Sequence, residues 1–246
     1  MFLYFCTVDG IITMPTILYI ETSTTVCSVA LSVAGSVVFE RISFEGPSHA
    51  ALLGVFVEEA IAFSKGKLYQ LEAIALSGGP GSYTGLRIGA SMAKGLCMGW
   101  EVPLIAVPTL QVIALQAIRQ YGKTDCLYCA MLDARRMEVY AAIYDVTLST
   151  VRETNAEIIT PDSYQVFLQR GTVCFFGNGS EKCRTVITSE NAVFLDDIHP
   201  LATAMVPLAE KAFQGEKFED TAYFEPFYLK EFLTTTSKKT EHLLKY

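Results

Sequence analysis

The stretch SGGPGSYTGLRIGAS, Ser77 to Ser91, constrains this chain most. It places four glycines and one proline in residues 78–86, between the apolar run EAIALS and a helical pattern. A buried strand that ends in such a loop and passes straight into a helix belongs in an α/β architecture. The junction also presents unpaired N–H groups and the positive end of a helix dipole, so anion binding is the first chemistry to test. The specific fingerprints are missing. A P-loop needs Gly-Lys-Ser/Thr, and here Gly85 is followed by Leu86 and Arg87. The dinucleotide fingerprint needs G-x-G-x-x-G, and Gly79, Gly81 and Gly85 are spaced one residue too wide. Two readings stay open: a phosphate cradle and a structural turn.

The flanking pattern extends the α/β reading. TILYIETS is a buried strand, and VCSVALSVAGSVVFERISF folds as two strands around Ala34-Gly35-Ser36. A helix is expected from Ser48 as N-cap to the Lys65-Gly66 region, and another through TGLRIGASMAKGLCMGW. VPLIAV is a strand and TLQVIALQAIRQYG a helix. Beyond them the same vocabulary recurs less clearly. CLYCAMLDARRMEVYAAIYDV reads as two strands around Asp133-Ala134-Arg135-Arg136, VCFFGNG as a strand with a glycine turn, and residues 200–213 as one helix. This order indicates a mixed sheet and a boundary near Pro108. The expected organisation is an extension at 1–13, lobes at 14–107 and 108–232, and a mobile tail at 233–246. For residues 1–13, a true start at Met14 competes with a working extension; a signal peptide and a membrane span both fit poorly.

Of 246 residues, 51% are hydrophobic and 18% charged, which supplies ample core. The net charge of −7, with no Lys/Arg run longer than a pair, argues against tight unaided RNA binding. Seven cysteines without a disulfide rhythm fit a reducing cytoplasm. Cys126 and Cys129 lie three apart in a strand, so they point to opposite faces and cannot share a metal. The three histidines, His49, His199 and His242, are not paired at ligand spacing. No metal site is expected, and with no recognisable nucleophile–base spacing a peptidase is disfavoured. For DARRMEVY the favoured reading is a solvated hairpin turn, with an anion site at Arg135 and Arg136 as the alternative.

Two helices carry a different signal. Gly85, Gly89 and Ala93 recur every four residues and make a smooth stripe suited to close approach. Residues 50–63 hold only Glu58 and Glu59 as charges, so Leu52, Leu53, Val55, Phe56, Val57, Ala60, Ile61 and Phe63 cover most of that helix. A helix apolar nearly all round is covered on more than one side, by the sheet and by a partner chain or by a central core.

The segments ILYIETSTTVCSVAL, SHAALL, LSGGPGSYTGLRIGASMAKGL, PLIAVPTL, DARRMEVYAA and PFYLK resemble, in this order, those of the TsaB (YeaZ) family. These are the dimerisation subunits of the bacterial complex that makes threonylcarbamoyladenosine at position 37 of tRNA. The resemblance spans residues 17–230 and implies an actin-like/sugar-kinase (ribonuclease H-like) fold with two mixed-sheet lobes. It implies a non-catalytic scaffold docked on the catalytic paralogue TsaD, with a TsaE-type ATPase in the complex and tRNA reached only through it. ATP and metal would belong to the partners, and this chain would carry no cofactor. The implied contact is Leu52, Leu53, Phe56, Val57, Ala60, Gly85, Gly89, Ala93 and Cys97, also usable for a homodimer. A vestigial phosphate-type loop would comprise Glu21, Thr22, Ser23, Gly79, Gly81, Ser82 and Thr84. TsaD carries a His-x-x-x-His metal site, whose positions fall on Thr109 and Ile113 here. The stretch after the first strand, Glu21 to Thr24, also lacks the glycine that lets a backbone approach phosphate. The alternative function is a small-molecule ATPase or kinase of the same fold.

Overall fold

The computed structural model describes residues 15–46 and 49–229. The expected extension, the tail, the Ser48 cap and Lys230 lie outside the described residues.

Two five-stranded sheets form the frame. The first has the order β3-β2-β1-β4-β5, from β1 (Thr16–Glu21), β2 (Cys27–Val33), β3 (Ser36–Ser43), β4 (Ala73–Gly79) and β5 (Leu104–Pro108). Strand β1 is antiparallel to β2 and parallel to β4, and β4 is parallel to β5. Central β1 is buried along its whole length, which is why TILYIE shows no polar alternation. The second sheet contains β6 (Cys126–Asp133), β7 (Glu138–Tyr144), β8 (Thr150–Ile158), β9 (Thr172–Phe176) and β10 (Ala192–Phe194). Its order, β8-β7-β6-β9-β10, repeats that of the first with the same strand directions. Two mixed sheets built on one plan are the actin-like, two-lobed α/β fold that the sequence leads one to expect.

The helices differ between the lobes. Helices α1 (His49–Gly66) and α2 (Tyr83–Trp100) cover one face of the first sheet through Leu53, Val57, Ala60, Ala93 and Leu96. In the second lobe their places are taken by α4 (Gln165–Leu168), one turn long, and by a 3-10 turn at Glu181–Cys183. These are too short for a 3.6-residue period, so the repeat is faint in the sequence. Strand β8 escaped the sequence reading because TVRETNAEI is a half-exposed edge strand without an apolar run.

The two lobes exchange their last helices. Helix α3 (Thr109–Tyr121) buries Leu110, Ile113, Ala114 and Ala117 against the second sheet. Residues 200–213, expected as one helix, form a 3-10 turn at Ala202–Met205 and then α5 (Val206–Gln214). Pro207 lies in the first turn of α5, where its missing N–H costs nothing, and so starts a new helix. Both segments pack on the far face of the first sheet, against Ile17, Tyr19, Ala30 and Ala75. The described chain beyond Pro108 is therefore divided between both cores.

Helix α5 also brings Glu210 under the β2–β3 turn, where Gly35 donates a backbone hydrogen bond to its carboxylate. Among the described residues the remaining oxygen, Oε1, is buried without a partner. Burial pushes this carboxyl above its ordinary value. A raised carboxyl favours folding while protonated, so its stabilisation is full below the usual glutamate range and is lost as pH rises through the folded value. Glu210→Gln keeps an oxygen for Gly35 and removes the charge. Melting curves between about pH 5 and pH 8 are expected to show the variant gaining on the native chain as pH rises. An unchanged difference would contradict a buried, titrating Glu210.

Candidate functional site

The glycine loop joins β4 to α2, and its glycines are contact points rather than open space. A Cβ on Gly85 would lie 2.1 Å from the Thr22 carbonyl oxygen, and one on Gly81 would lie 2.4 Å from that of Ser23. On Gly89 it would meet Thr22 Oγ1 at 2.4 Å. The stripe Gly85, Gly89, Ala93 faces inward, letting α2 run against the segment that leaves β1. Hydrogen bonds close the same junction. Ser82 N–H donates to the Ser23 carbonyl at 2.7 Å, and Thr22 Oγ1 donates to the Gly85 carbonyl at 2.8 Å. Ser82 caps α2 by accepting from Gly85 N–H.

Glu21 is fully buried beneath this junction. It accepts from the Ser23 N–H at 2.6 Å, the Ser23 hydroxyl at 2.5 Å and the Ser77 hydroxyl. Burial raises its carboxyl above the ordinary value, and these hydrogen bonds oppose the shift. Glu21 thus ties the ends of β1 and β4 together and is absent from the lining of the cleft described below.

Gly79 has φ +103 in the left-handed region, and a Cβ there would meet the Phe227 carbonyl oxygen at 2.7 Å. Phe227 N–H in turn donates to the Gly78 carbonyl at 2.7 Å, and Tyr228 packs on Tyr83 with ring centroids 4.9 Å apart. Lys94 holds the same strap through the carbonyls of Ala222 and Phe224, at 2.9 and 3.2 Å. PFYLK therefore anchors through Phe227 and Tyr228.

Between the lobes lies a cleft of about 780 Å³. One wall is Ser23, Thr24, Thr25 and the loop from Gly81 to Gly85; the other is the β6–β7 turn with Asp133, Arg135, Arg136 and nearby Asn178. Thr22, Ser23 and Thr24 are buried, whereas Thr25, Ser82 and Thr84 are exposed. His49 is buried, with Nε2 3.2 Å from the Val26 carbonyl oxygen. The DARRMEVY turn is the solvated hairpin turn expected from sequence, joining antiparallel β6 and β7 with Arg135 and Arg136 exposed, and it also forms one wall of this cleft.

The structure divides the sequence-derived contact set by depth. Leu53, Val57, Ala60, Gly85, Gly89, Ala93 and Cys97 are buried in the chain's own core, because the glycine stripe serves the sheet. Leu52 and Phe56 are half-buried. The outer faces of α1 and α2 present residues outside that contact set: Val55 at 47% exposure, which the sequence reading counted only among the apolar residues of its helix, and Gly54, Gly95 and Met98 at 75%, which it passed over. Gly54 and Gly95 have open space where a side chain would stand.

Thr109 and Ile113 are both fully buried at the start of α3, and Ile113 is core of the second lobe. Cys126 and Cys129 fall on opposite faces of the second sheet, in separate cores. Among the described residues no group of three or more His, Cys, Asp or Glu could hold a metal, and no helix is long and apolar enough to cross a membrane.

A two-lobed α/β protein of the actin-like kind, with a self-filled glycine junction and an open inter-lobe cleft, is the class defined here. A family model described as "TsaD: tRNA N6-adenosine threonylcarbamoyltransferase" matches residues 44–232. The "tRNA threonylcarbamoyladenosine biosynthesis protein TsaB" of Escherichia coli is 34% identical over 223 residues, covering 87% of this chain and 94% of that protein. Its namesake in Haemophilus influenzae is 29% identical over 230 residues, covering 89% and 95%. The solved structure "YeaZ from Pseudomonas aeruginosa" superposes with a TM-score of 0.75 at 27% identity, covering 88% of this chain and all of that one, 100%. The chain belongs to the TsaB family.

Two glycines on α2 separate junction from surface. Gly85→Ala is expected to destabilise by about 3 kcal/mol or more, because backbone at 2.1 Å cannot yield to a Cβ. Gly95→Ala, in open space on the same helix, is expected to stabilise by about 0.5–1 kcal/mol. Urea unfolding of both checks this, and equal effects would refute the assignment of inner and outer faces.

Proposed function

We propose that this chain is a non-catalytic subunit in the synthesis of threonylcarbamoyladenosine in tRNA, acting in the cytoplasm. It docks on a TsaD-type catalytic subunit and holds it in an active conformation, with a TsaE-type ATPase in the assembly and tRNA bound only through it. The observation that carries this reading is similarity to TsaB proteins over 87% and 89% of this chain, joined to a glycine junction occupied by the chain's own Thr22 and Ser23. Thr109 and Ile113, at the positions matched to TsaD metal ligands, are buried and lack imidazoles, which also favours an accessory role.

The docking face is the outer side of α1 and α2. Small residues at Gly54 and Gly95 admit a partner helix closely, and Val55, Met98 and the edges of Leu52 and Phe56 supply apolar contact. When the partner is absent, the same face serves a second copy of this chain. Leu53 and Val57 act indirectly, by setting where these helices lie.

Val55→Asp and Gly95→Arg place charge or bulk on this face while sparing the core. Each is expected to weaken co-purification with the TsaD-type subunit of the same organism at least about 30-fold, the scale of an interface hot spot. Phe44→Ser, exposed at the end of β3, serves as a control and is expected to leave binding unchanged. Threonylcarbamoyl transfer should need both chains. Modified base made by this chain alone, or retained binding by both folded variants, would overturn the proposal.

A further inference from the structure

The second lobe holds two thiols in contact. Cys126, the first residue of β6, and Cys174, in the middle of β9, lie on neighbouring parallel strands. In the register Cys126 pairs with Thr172 and Tyr128 with Cys174, so the two cysteines are diagonal neighbours on one face of the sheet. Both belong to the core that α3 covers, together with Ala117 and Phe176. The Cys174 thiol donates to Cys126 Sγ at 3.5 Å, and the Cys126 thiol donates to the Lys123 carbonyl at 3.8 Å. Four further cysteines are placed elsewhere. Cys27 and Cys97 are in the core under α1 and α2, and Cys129 and Cys183 are on the opposite face of the second sheet.

The two thiols differ in access. Cys174 is fully buried, whereas Cys126 keeps 8% of its surface open at the end of the connection from α3. Burial pushes the Cys174 thiol up, its contact with Cys126 adds to the shift, and the Lys123 ammonium opposes it. Cys126 is therefore the sulfur that a small oxidant reaches, and Cys174 the one that follows. Closing the gap from 3.5 Å to the ~2.0 Å of a disulfide needs a movement of about 1.5 Å. The end of β6 can supply it, because residues 122–125 before Cys126 are a connection rather than strand.

We propose that Cys126 and Cys174 are a reversible dithiol–disulfide pair oxidised by hydrogen peroxide. The Cys126 sulfur attacks one peroxide oxygen and the O–O bond breaks. The departing oxygen takes the thiol proton and leaves as water, and Cys126 becomes a sulfenic acid. Cys174 Sγ then attacks the Cys126 sulfur, the S–O bond breaks, and the departing hydroxide takes the Cys174 proton as a second water. The two thiols lose two electrons between them, and one peroxide is reduced to two waters. A bond between diagonal positions is strained, so small thiols reduce it again. The pair lies under α3, away from the outer face of α1 and α2, and stands or falls independently of docking.

The test exposes the full, reduced chain to a small molar excess of hydrogen peroxide, then alkylates the remaining thiols in denaturant for mass spectrometry. Expected are the loss of two alkylatable cysteines, a linked peptide pair containing Cys126 and Cys174, and complete reversal by dithiothreitol. Cys126→Ala and Cys174→Ala should each abolish the linked pair, and Cys97→Ala should leave it unchanged. Diamide, which oxidises thiols without transferring oxygen, should give the same link in the native chain, a readout that does not depend on how the variants fold. No loss of thiols, sulfenic or sulfinic acid at Cys126 with Cys174 still free, or a link between other cysteines or between two copies would overturn the proposal.

Discussion

The contact between α2 and the segment leaving β1 sets the geometry of this protein. Gly81, Gly85 and Gly89 let a helix approach a backbone turn more closely than any side chain would allow. Glu21 fastens that turn from below through Ser23 and Ser77. A buried carboxylate is costly unless its oxygens are hydrogen-bonded, and the three donors meet that need while joining two parallel strands. The loop resembles a phosphate cradle in composition, and the close approach leaves little room beside its glycines. Backbone carbonyls of Thr22 and Ser23 occupy the space beside them.

From this junction the two faces of the first sheet acquire different tasks. One is covered by α1 and α2, whose inner sides are core and whose outer sides stay exposed. The other is covered by segments that return from the far end of the chain, Ala202–Met205 and α5. Because α3 covers the second sheet in exchange, neither lobe has a complete core without the other. The walls of the cleft are thereby tied to the packing of both lobes, which brings the Arg135–Arg136 turn opposite Thr25 and Ser82.

Much of this was legible in the sequence. The buried run of β1, the Ala34-Gly35 hairpin, the glycine loop and α2 each announce themselves through a local signal. In the second lobe the signal fails where elements are short or exposed: β8 buries little, and α4 is a single turn. The small-residue stripe on α2 was visible as a close-contact surface. Its direction was not, since Gly85, Gly89 and Ala93 suit a sheet or a partner helix equally well. The Arg135–Arg136 turn was likewise recognised as a hairpin, while the wall opposite it, Ser23–Thr25 and Gly81–Gly85, comes from segments far away in the chain and leaves no local trace.

The sequence by itself determined the order of strands and helices in the first lobe, the glycine junction, the lack of paired histidines and the family, because these rest on residue type and short-range spacing. Tertiary structure alone decided which side of each helix is core, where α5 goes, and that the two lobes share one plan. It also decided that Glu21 faces serines, and that two arginines face a cleft. The physical reason is burial: which surface is removed from water depends on contacts between segments far apart in the chain, and periodicity fixes a helix face without naming what covers it.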